Sequence, residues 1–173
     1  MDLRERIRSV PDFPKKGIVF RDITTLLKDG PSLARAVDII RDRYREARVD
    51  KVVCVESRGF ILGGALAYAL RSGFVPIRKP GKLPSEKLKE EYSLEYGKDA
   101  VEIHLDAVTP GERVLLHDDL LATGGTMRAA NNLVQKLGGQ VVGISFLIEL
   151  EFLHGRDCLS PADIFSVISY EKE

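Results

Sequence analysis

"VLLHDDLLATGGTM", residues Val114 to Met127, joins an apolar run to two adjacent aspartates and then to the turn Ala-Thr-Gly-Gly-Thr. "RVLLH" reads as a buried strand, "DDLLATGG" as a loop, and "TMRAANNLVQKLG" as a helix closed by Gly138-Gly139. A glycine turn between strand and helix suits an anion, because backbone amides converge there and the helix dipole favours negative charge. Gly124 and Gly125 permit backbone angles closed to other residues, so the amides of Thr123 to Thr126 can meet on one anion. The Thr123 and Thr126 hydroxyls add to that cradle. Asp118 and Asp119 serve a different group, since carboxylates repel phosphate but accept hydrogen bonds from a vicinal diol. Acids and turn together imply a ribose 5-phosphate. No GK[ST] follows the glycines and G-x-G-x-x-G is absent, which excludes the nucleotide P-loop and the dinucleotide fingerprint.

The same strand-loop-helix pattern occurs upstream. "KVVCV" is a short continuous apolar run, broken by "ESRG" and followed by the helix "FILGGALAYAL", then Gly73 and the strand "FVPI". Downstream, "VVGISFLIEL" supplies another strand. Two βαβ units predict an α/β fold with a mainly parallel central sheet flanked by helices. Ligands bind such sheets at the carboxyl ends of the strands, where both "ESRG" and "DDLLATGGT" fall. Pro31 opens a further helix, "PSLARAVDIIRDRYREA". "MDLRERIRSV" reads as a short helix stopped by Pro11 and Pro14, and "FPKKGIVFRDITTLL" as an irregular, partly extended arm. "YSLEYGKDAVEIHL" alternates polar and apolar residues around Gly97, which predicts an antiparallel hairpin or mobile flap.

With 173 residues, the chain has room for one domain with a core that needs no disulfides. Twenty-six basic and twenty-six acidic residues cancel, so the overall charge gives no reason to expect nucleic acid or an anionic membrane as partner. No apolar stretch reaches membrane-spanning length, and the charged N-terminus lacks the apolar core of a signal peptide. Cys54 and Cys158 have no CxxC spacing, and Cys54, inside an apolar run, is expected to be a buried inert thiol. His104, His117 and His154 show no metal-ligand spacing. A cytoplasmic protein is expected.

"VLLHDDLLATGGT" resembles the phosphoribosyl-pyrophosphate signature of type I phosphoribosyltransferases. "RSVPDFPKKGIVFRDIT", "ESRGFILGGALA", "RKPGKLP" and "YSLEYGKDAVEIH" are similar to segments of the adenine phosphoribosyltransferase family, and the likeness runs from about Ile7 beyond the "ISFLIEL" strand. It implies a single type I phosphoribosyltransferase domain over 1–173. Within it, a small N-terminal hood would occupy about 1–30, the core about 31–173, and a flexible flap about 81–105. It also implies transfer of phosphoribose from phosphoribosyl pyrophosphate to adenine, giving AMP and pyrophosphate with Mg2+, by a homodimer.

The resemblance implies the following roles. Asp118 and Asp119 hold the ribose hydroxyls, and Ala122, Thr123, Gly124, Gly125 and Thr126 hold the 5-phosphate. Glu56, Ser57 and Arg58 approach the pyrophosphate, with a non-proline cis peptide expected at Glu56–Ser57. Arg78, Lys79 and Lys82 match the family's "RK-x-GK" pattern on the pyrophosphate side, whereas Lys87 and Lys89 read as a solvated basic face. Phe20 stacks on the base, and the backbone of Arg21 reads N1 and the 6-amino group. Glu95 is the acid/base residue, and Tyr96 belongs to the flap. Other members carry Asp or Ala in the "ESR" position, which leaves the role of Glu56 open. His117 stands where an aliphatic residue is usual and reads as a strand histidine without a catalytic role. Magnesium rides on the substrate, so no side chain is assigned as its ligand. Two alternatives remain: a relative acting on hypoxanthine, guanine or xanthine, and a regulator that senses phosphoribosyl pyrophosphate. Regulators of that kind usually append a DNA-binding domain, for which this chain has no room.

Overall fold

In the computed structural model, which describes residues 2–94 and 97–173, the continuous apolar runs become the centre of a parallel sheet. The strands are β1 (Arg8–Val10), β2 (Phe20–Asp22), β3 (Lys51–Val55), β4 (Gly73–Ile77), β5 (Lys87–Ser93), β6 (Lys98–His104), β7 (Arg113–Leu121), β8 (Gln140–Leu150) and β9 (Ile164–Tyr170). The helices are α1 (Thr24–Leu27), α2 (Gly30–Tyr44), α3 (Gly59–Leu70) and α4 (Gly125–Lys136). The central sheet has the order β4-β3-β7-β8-β9, with every neighbouring pair parallel. β1–β2 and β5–β6 are separate antiparallel pairs.

Layering follows from the residue pattern. Val52, Val53, Cys54 and Val55 are all buried because helices or strands cover both faces of β3. Leu62, Leu66 and Ala67 of α3 pack with Val52 and Cys54 on one face. Ala130, Leu133 and Val134 of α4 pack with Val53, Val114 and Leu116 on the other. Gly63 lets α3 approach β3 closely, since a Cβ there would fall 2.1 Å from Cys54 Sγ. α2 starts at Asp29, whose carboxylate accepts from the Ser32 amide at 3.1 Å, with Pro31 in the first turn.

Four elements depart from the sequence reading. The N-terminal segment forms only a 3-10 turn at Arg4–Arg6 and then enters β1, because pairing with β2 and an Arg8–Asp22 ion pair of 2.5 Å outweigh helix propensity over so few residues. β7 continues through "DDLL", held by β8 in the register Asp118↔Phe146, Leu120↔Ile148 and Leu121↔Glu149. The acids therefore sit on a strand, and only the turn after Leu121 is a loop. The hairpin begins at Lys87, earlier than expected, and its stem buries Tyr92, Val101 and Ile103 in the α4-side core. β9, which the sequence reading omits, closes the sheet against β8 from Ile144↔Ile164 to Leu150↔Tyr170. Among the described residues no helix is long and apolar enough to cross a membrane.

Candidate active site

The carboxyl ends of β3 and β7 lie side by side and bring the two glycine-containing loops together. After β7, Gly124 takes φ +83° and caps α4, so the turn has the left-handed geometry that glycine adopts without penalty. Asp118 and the residues from Ala122 to Thr126 line a small cavity of about 90 Å³ at the start of α4. That arrangement suits one tetrahedral anion at a helix N-terminus.

Asp119 is 6% exposed, and its Oδ2 lies 2.8 Å from Arg58 Nε. Asp118 Oδ1 accepts from the Asp119 amide at 2.8 Å. Burial, reinforced by the charge of Asp119, pushes the Asp118 carboxyl well above the usual carboxylate range. Burial also raises Asp119, with the Arg58 guanidinium opposing it. Gly59 makes room for the pair, because a Cβ there would stand 2.7 Å from Asp118 Oδ1.

After β3, Glu56–Ser57 is a non-proline cis peptide, as expected. Glu56 gathers cations. Its Oε1 accepts from the Lys79 amide at 2.5 Å and lies 3.4 Å from Arg78 Nε, while its Oε2 accepts from Lys82 Nζ at 2.6 Å. Burial works to raise the Glu56 carboxyl, but the Lys82 and Lys79 hydrogen bonds and the nearby positive charges hold it below its ordinary value. Glu102 steadies the same loop by accepting from the Gly81 amide at 3.1 Å. Lys79 turns elsewhere: its ammonium is engaged by Asp99 and by the Tyr92 hydroxyl, the latter at 2.8 Å, both on the hairpin. Lys87 and Lys89 are exposed: Lys87 Nζ donates to the Leu83 carbonyl at 3.3 Å, and Lys89 Nζ lies 3.5 Å from exposed Glu91.

From β2, the Phe20 ring has the Arg58 guanidinium 5.1 Å from its centroid and the Phe13 ring edge-on at 5.2 Å. The Arg21 side chain leaves the site, donating to Ser9 Oγ at 2.5 Å and stacking 4.0 Å over Tyr170. Its main chain lies in the two-stranded β1–β2 pair, opposite Ser9. His117 is fully buried beside Ser145. Glu95 and Tyr96 lie outside the described residues. Sequence reasoning missed Glu102, Asp99 and Tyr92, whose partners are distant in the chain and leave no local signal. It also missed Gly59, which the glycine in "ESRG" did signal.

An α/β sheet with an anion turn after one central strand and a cis-peptide loop after its neighbour defines a class of phosphoribosyl-binding enzymes. Residues 22–161 match the phosphoribosyl transferase domain. The chain is 57% identical over 169 residues to an adenine phosphoribosyltransferase of Pelobacter propionicus, covering 98% of each chain. The crystal structure of adenine phosphoribosyltransferase from Thermoanaerobacter pseudethanolicus superposes with a TM-score of 0.94 at 51% identity, covering 97% of this chain and 98% of the other. The Saccharomyces cerevisiae adenine phosphoribosyltransferase, solved with an imino-altritol bisphosphate and adenine, superposes at 0.91 with 39% identity over 95% and 96% of the two chains. The chain belongs to the adenine phosphoribosyltransferase family.

Proposed function

We propose that the chain transfers the phosphoribosyl group of 5-phosphoribosyl 1-pyrophosphate to adenine, forming AMP and releasing pyrophosphate in purine salvage. The observation that carries this reading is the acid pair on β7, met by Arg58 from the loop after β3 and followed directly by the small glycine turn that opens α4. Ala122 to Thr126 bind the 5-phosphate, and Asp118 and Asp119 accept from the ribose hydroxyls. Ser57, Arg58, Arg78 and Lys82 face the pyrophosphate. Glu56 holds Arg78 and Lys82 in place until that anion takes over their charge. Lys79 joins them only by leaving Asp99.

Phe20 stacks on adenine, and the main chain of Arg21 pairs with N1 and the 6-amino group. A 6-oxo purine would face that edge with a mismatched donor and acceptor, at a cost of about 1–3 kcal/mol. N9 forms its bond to C1 of the ribose as the C1–oxygen bond to pyrophosphate breaks. The electron pair of that bond leaves with pyrophosphate, and Glu95 takes the purine proton. The sugar passes through an oxocarbenium-like state, so Tyr96 and the hairpin tip serve to exclude water from it. Holding both substrates in line supplies up to about 7–11 kcal/mol of the barrier reduction. Magnesium is carried on substrate oxygens, with no side chain assigned as its ligand. When bound, it neutralises pyrophosphate charge. We further propose that the protein works in the cytoplasm as a homodimer, consistent with exposed apolar residues on α3 and β4.

Pyrophosphate release with phosphoribosyl pyrophosphate and magnesium, compared across adenine, hypoxanthine, guanine and xanthine, tests the reading. Release is expected with adenine alone. Release only with a 6-oxo purine would overturn the base-reading argument, and silence with all four would overturn the transferase.

A further inference from the structure

The phosphate turn is supported from behind by a segment to which the proposed reaction assigns no role. After β8 the chain passes through two short 3-10 turns, Glu151–Leu153 and Gly155–Cys158, and the second packs on Ala122–Gly124. The two segments lie close enough that neither glycine has room for a side chain. A Cβ on Gly124 would fall 2.5 Å from the Gly155 carbonyl oxygen and 2.5 Å from Cys158 Sγ, and a Cβ on Gly155 would fall 2.3 Å from the Ala122 carbonyl oxygen. Cys158 Sγ lies 3.3 Å from the carbonyl oxygens of both Thr123 and Gly155. The Gly155 contact stays within the cysteine's own turn, whereas the Thr123 contact bridges two segments thirty-five residues apart. The two sides of the phosphate turn open on different spaces: Thr123 to Thr126 line the 90 Å³ cavity, and Cys158 lines another of about 410 Å³ beside the flank of α4.

The Thr123 carbonyl and the Gly124 amide belong to one trans peptide, in which C=O and N–H point in opposite directions. A donor that fixes the carbonyl on the rear face therefore aims the amide at the cradle. Glycine at 124 permits the turn, but it equally permits the peptide to flip and present a carbonyl to the anion. We infer that Cys158 is a positioning residue for the 5-phosphate: its S–H donates to the Thr123 carbonyl and keeps the Gly124 N–H directed at the ligand. This rests on the assignment of residues 122–126 to the 5-phosphate.

Steady-state kinetics of the full chain test the inference with Cys158→Ala, which removes the donor, and Cys158→Ser, which keeps one. A thiol is a weak donor, so Cys158→Ala is expected to raise KM for phosphoribosyl pyrophosphate by about three- to tenfold, with kcat and KM for adenine within about twofold of the parent. Inhibition by ribose 5-phosphate should weaken by the same factor, while inhibition by pyrophosphate, which lacks the 5-phosphate, should not change. Cys158→Ser should return KM to within about twofold. An unchanged KM in Cys158→Ala, an equally impaired Cys158→Ser, or a matching loss of pyrophosphate inhibition would each overturn the positioning role. Ribose 5-phosphate that fails to compete with phosphoribosyl pyrophosphate in the parent would instead overturn the phosphate assignment and the inference with it.

Discussion

His117 stands one residue before the acid pair, fully enclosed, with Nδ1 2.9 Å from Ser145 Oγ. The Ser145 hydroxyl lies 3.3 Å from the Leu116 carbonyl, which can only accept, so the serine proton goes there and His117 donates from Nδ1. Nε2 then carries a lone pair with no hydrogen-bond partner among the described residues. Burial drives the imidazole pKa from 6.5 down to about 3, so the ring is neutral at working pH. On acidification the unfolded chain takes up this proton first. The histidine's contribution to stability is therefore complete above about pH 6.5 and is lost toward pH 3, at about 1.4 kcal/mol per pH unit. His117→Leu removes that dependence. Between pH 7.5 and 5.0, urea unfolding should show the parent losing about 2 kcal/mol more than the variant. Equal losses would mean that the ring is charged or exposed. At this scale the acid pair, the glycine turn and the unusual His117 were legible because they are contiguous. The Lys79–Asp99 pair and the Thr123–Cys158 contact were not, since each joins residues twenty or more apart.

Elements show why the hairpin was read only in part. Its tip was visible from Gly97 and the alternation after it, but the β5 side, "KLKEEY", carries Glu90 at an inward-facing position between Leu88 and Tyr92 and so breaks the apolar pattern. Glu90 is tolerated there because α4 supplies its partners: Asn132 Nδ2 donates to Oε1 at 3.0 Å, and Lys136 Nζ to Oε2 at 2.5 Å. Those two residues sit one helical turn apart on α4, the helix that Gly124 caps. Tyr92 and Ser93 also approach the face of Gly125, within 3.6 and 3.8 Å of a Cβ placed there. The strand leading to Glu95 is thus fixed to the helix proposed to hold the 5-phosphate, by charge-assisted bonds as well as packing. Glu90→Ala cuts this tie at a distance from the reacting atoms. It should lower kcat by about three- to tenfold, through misplacement of the hairpin tip, with a smaller change in KM for phosphoribosyl pyrophosphate. Steady-state rates at saturating adenine check this, and an unchanged kcat would mean that apolar packing alone positions the stem. β1 and β9 escaped the sequence reading for related reasons. β1 is three residues long and exists only through β2, and β9 is a half-covered edge strand without the continuous apolar run of β3.

Across the whole molecule, positive and negative residues cancel, yet the charges that matter are sorted by the fold. Arg58 meets Asp119, Arg78 and Lys82 meet Glu56, and the turn 122–126 has no acid within it, so the proposed polyanion would be received locally without any global attraction. The apolar surface is sorted as well. β4 is an edge of the central sheet, and Phe74 on it is 39% exposed although it packs edge-on against Phe60 of α3 at 5.5 Å. On α3, Ile61 is 50% exposed and Tyr68 88%, two turns apart, with Gly64 between them and open space where its side chain would be. Isolated exposed apolar residues are ordinary, but a large aromatic and a β-branched residue aligned on one helix beside an open sheet edge form a patch that a second copy can cover. The combined change Ile61→Lys and Tyr68→Glu places charges on that face without touching the buried Leu62, Leu66 or Ala67. Sedimentation velocity should find the parent at twice the 19.2 kDa chain mass and the variant at that mass, with pyrophosphate release falling as the dimer dissociates. A variant that remains dimeric would move the interface off α3, and a monomeric, fully active parent would remove the homodimer from the mechanism.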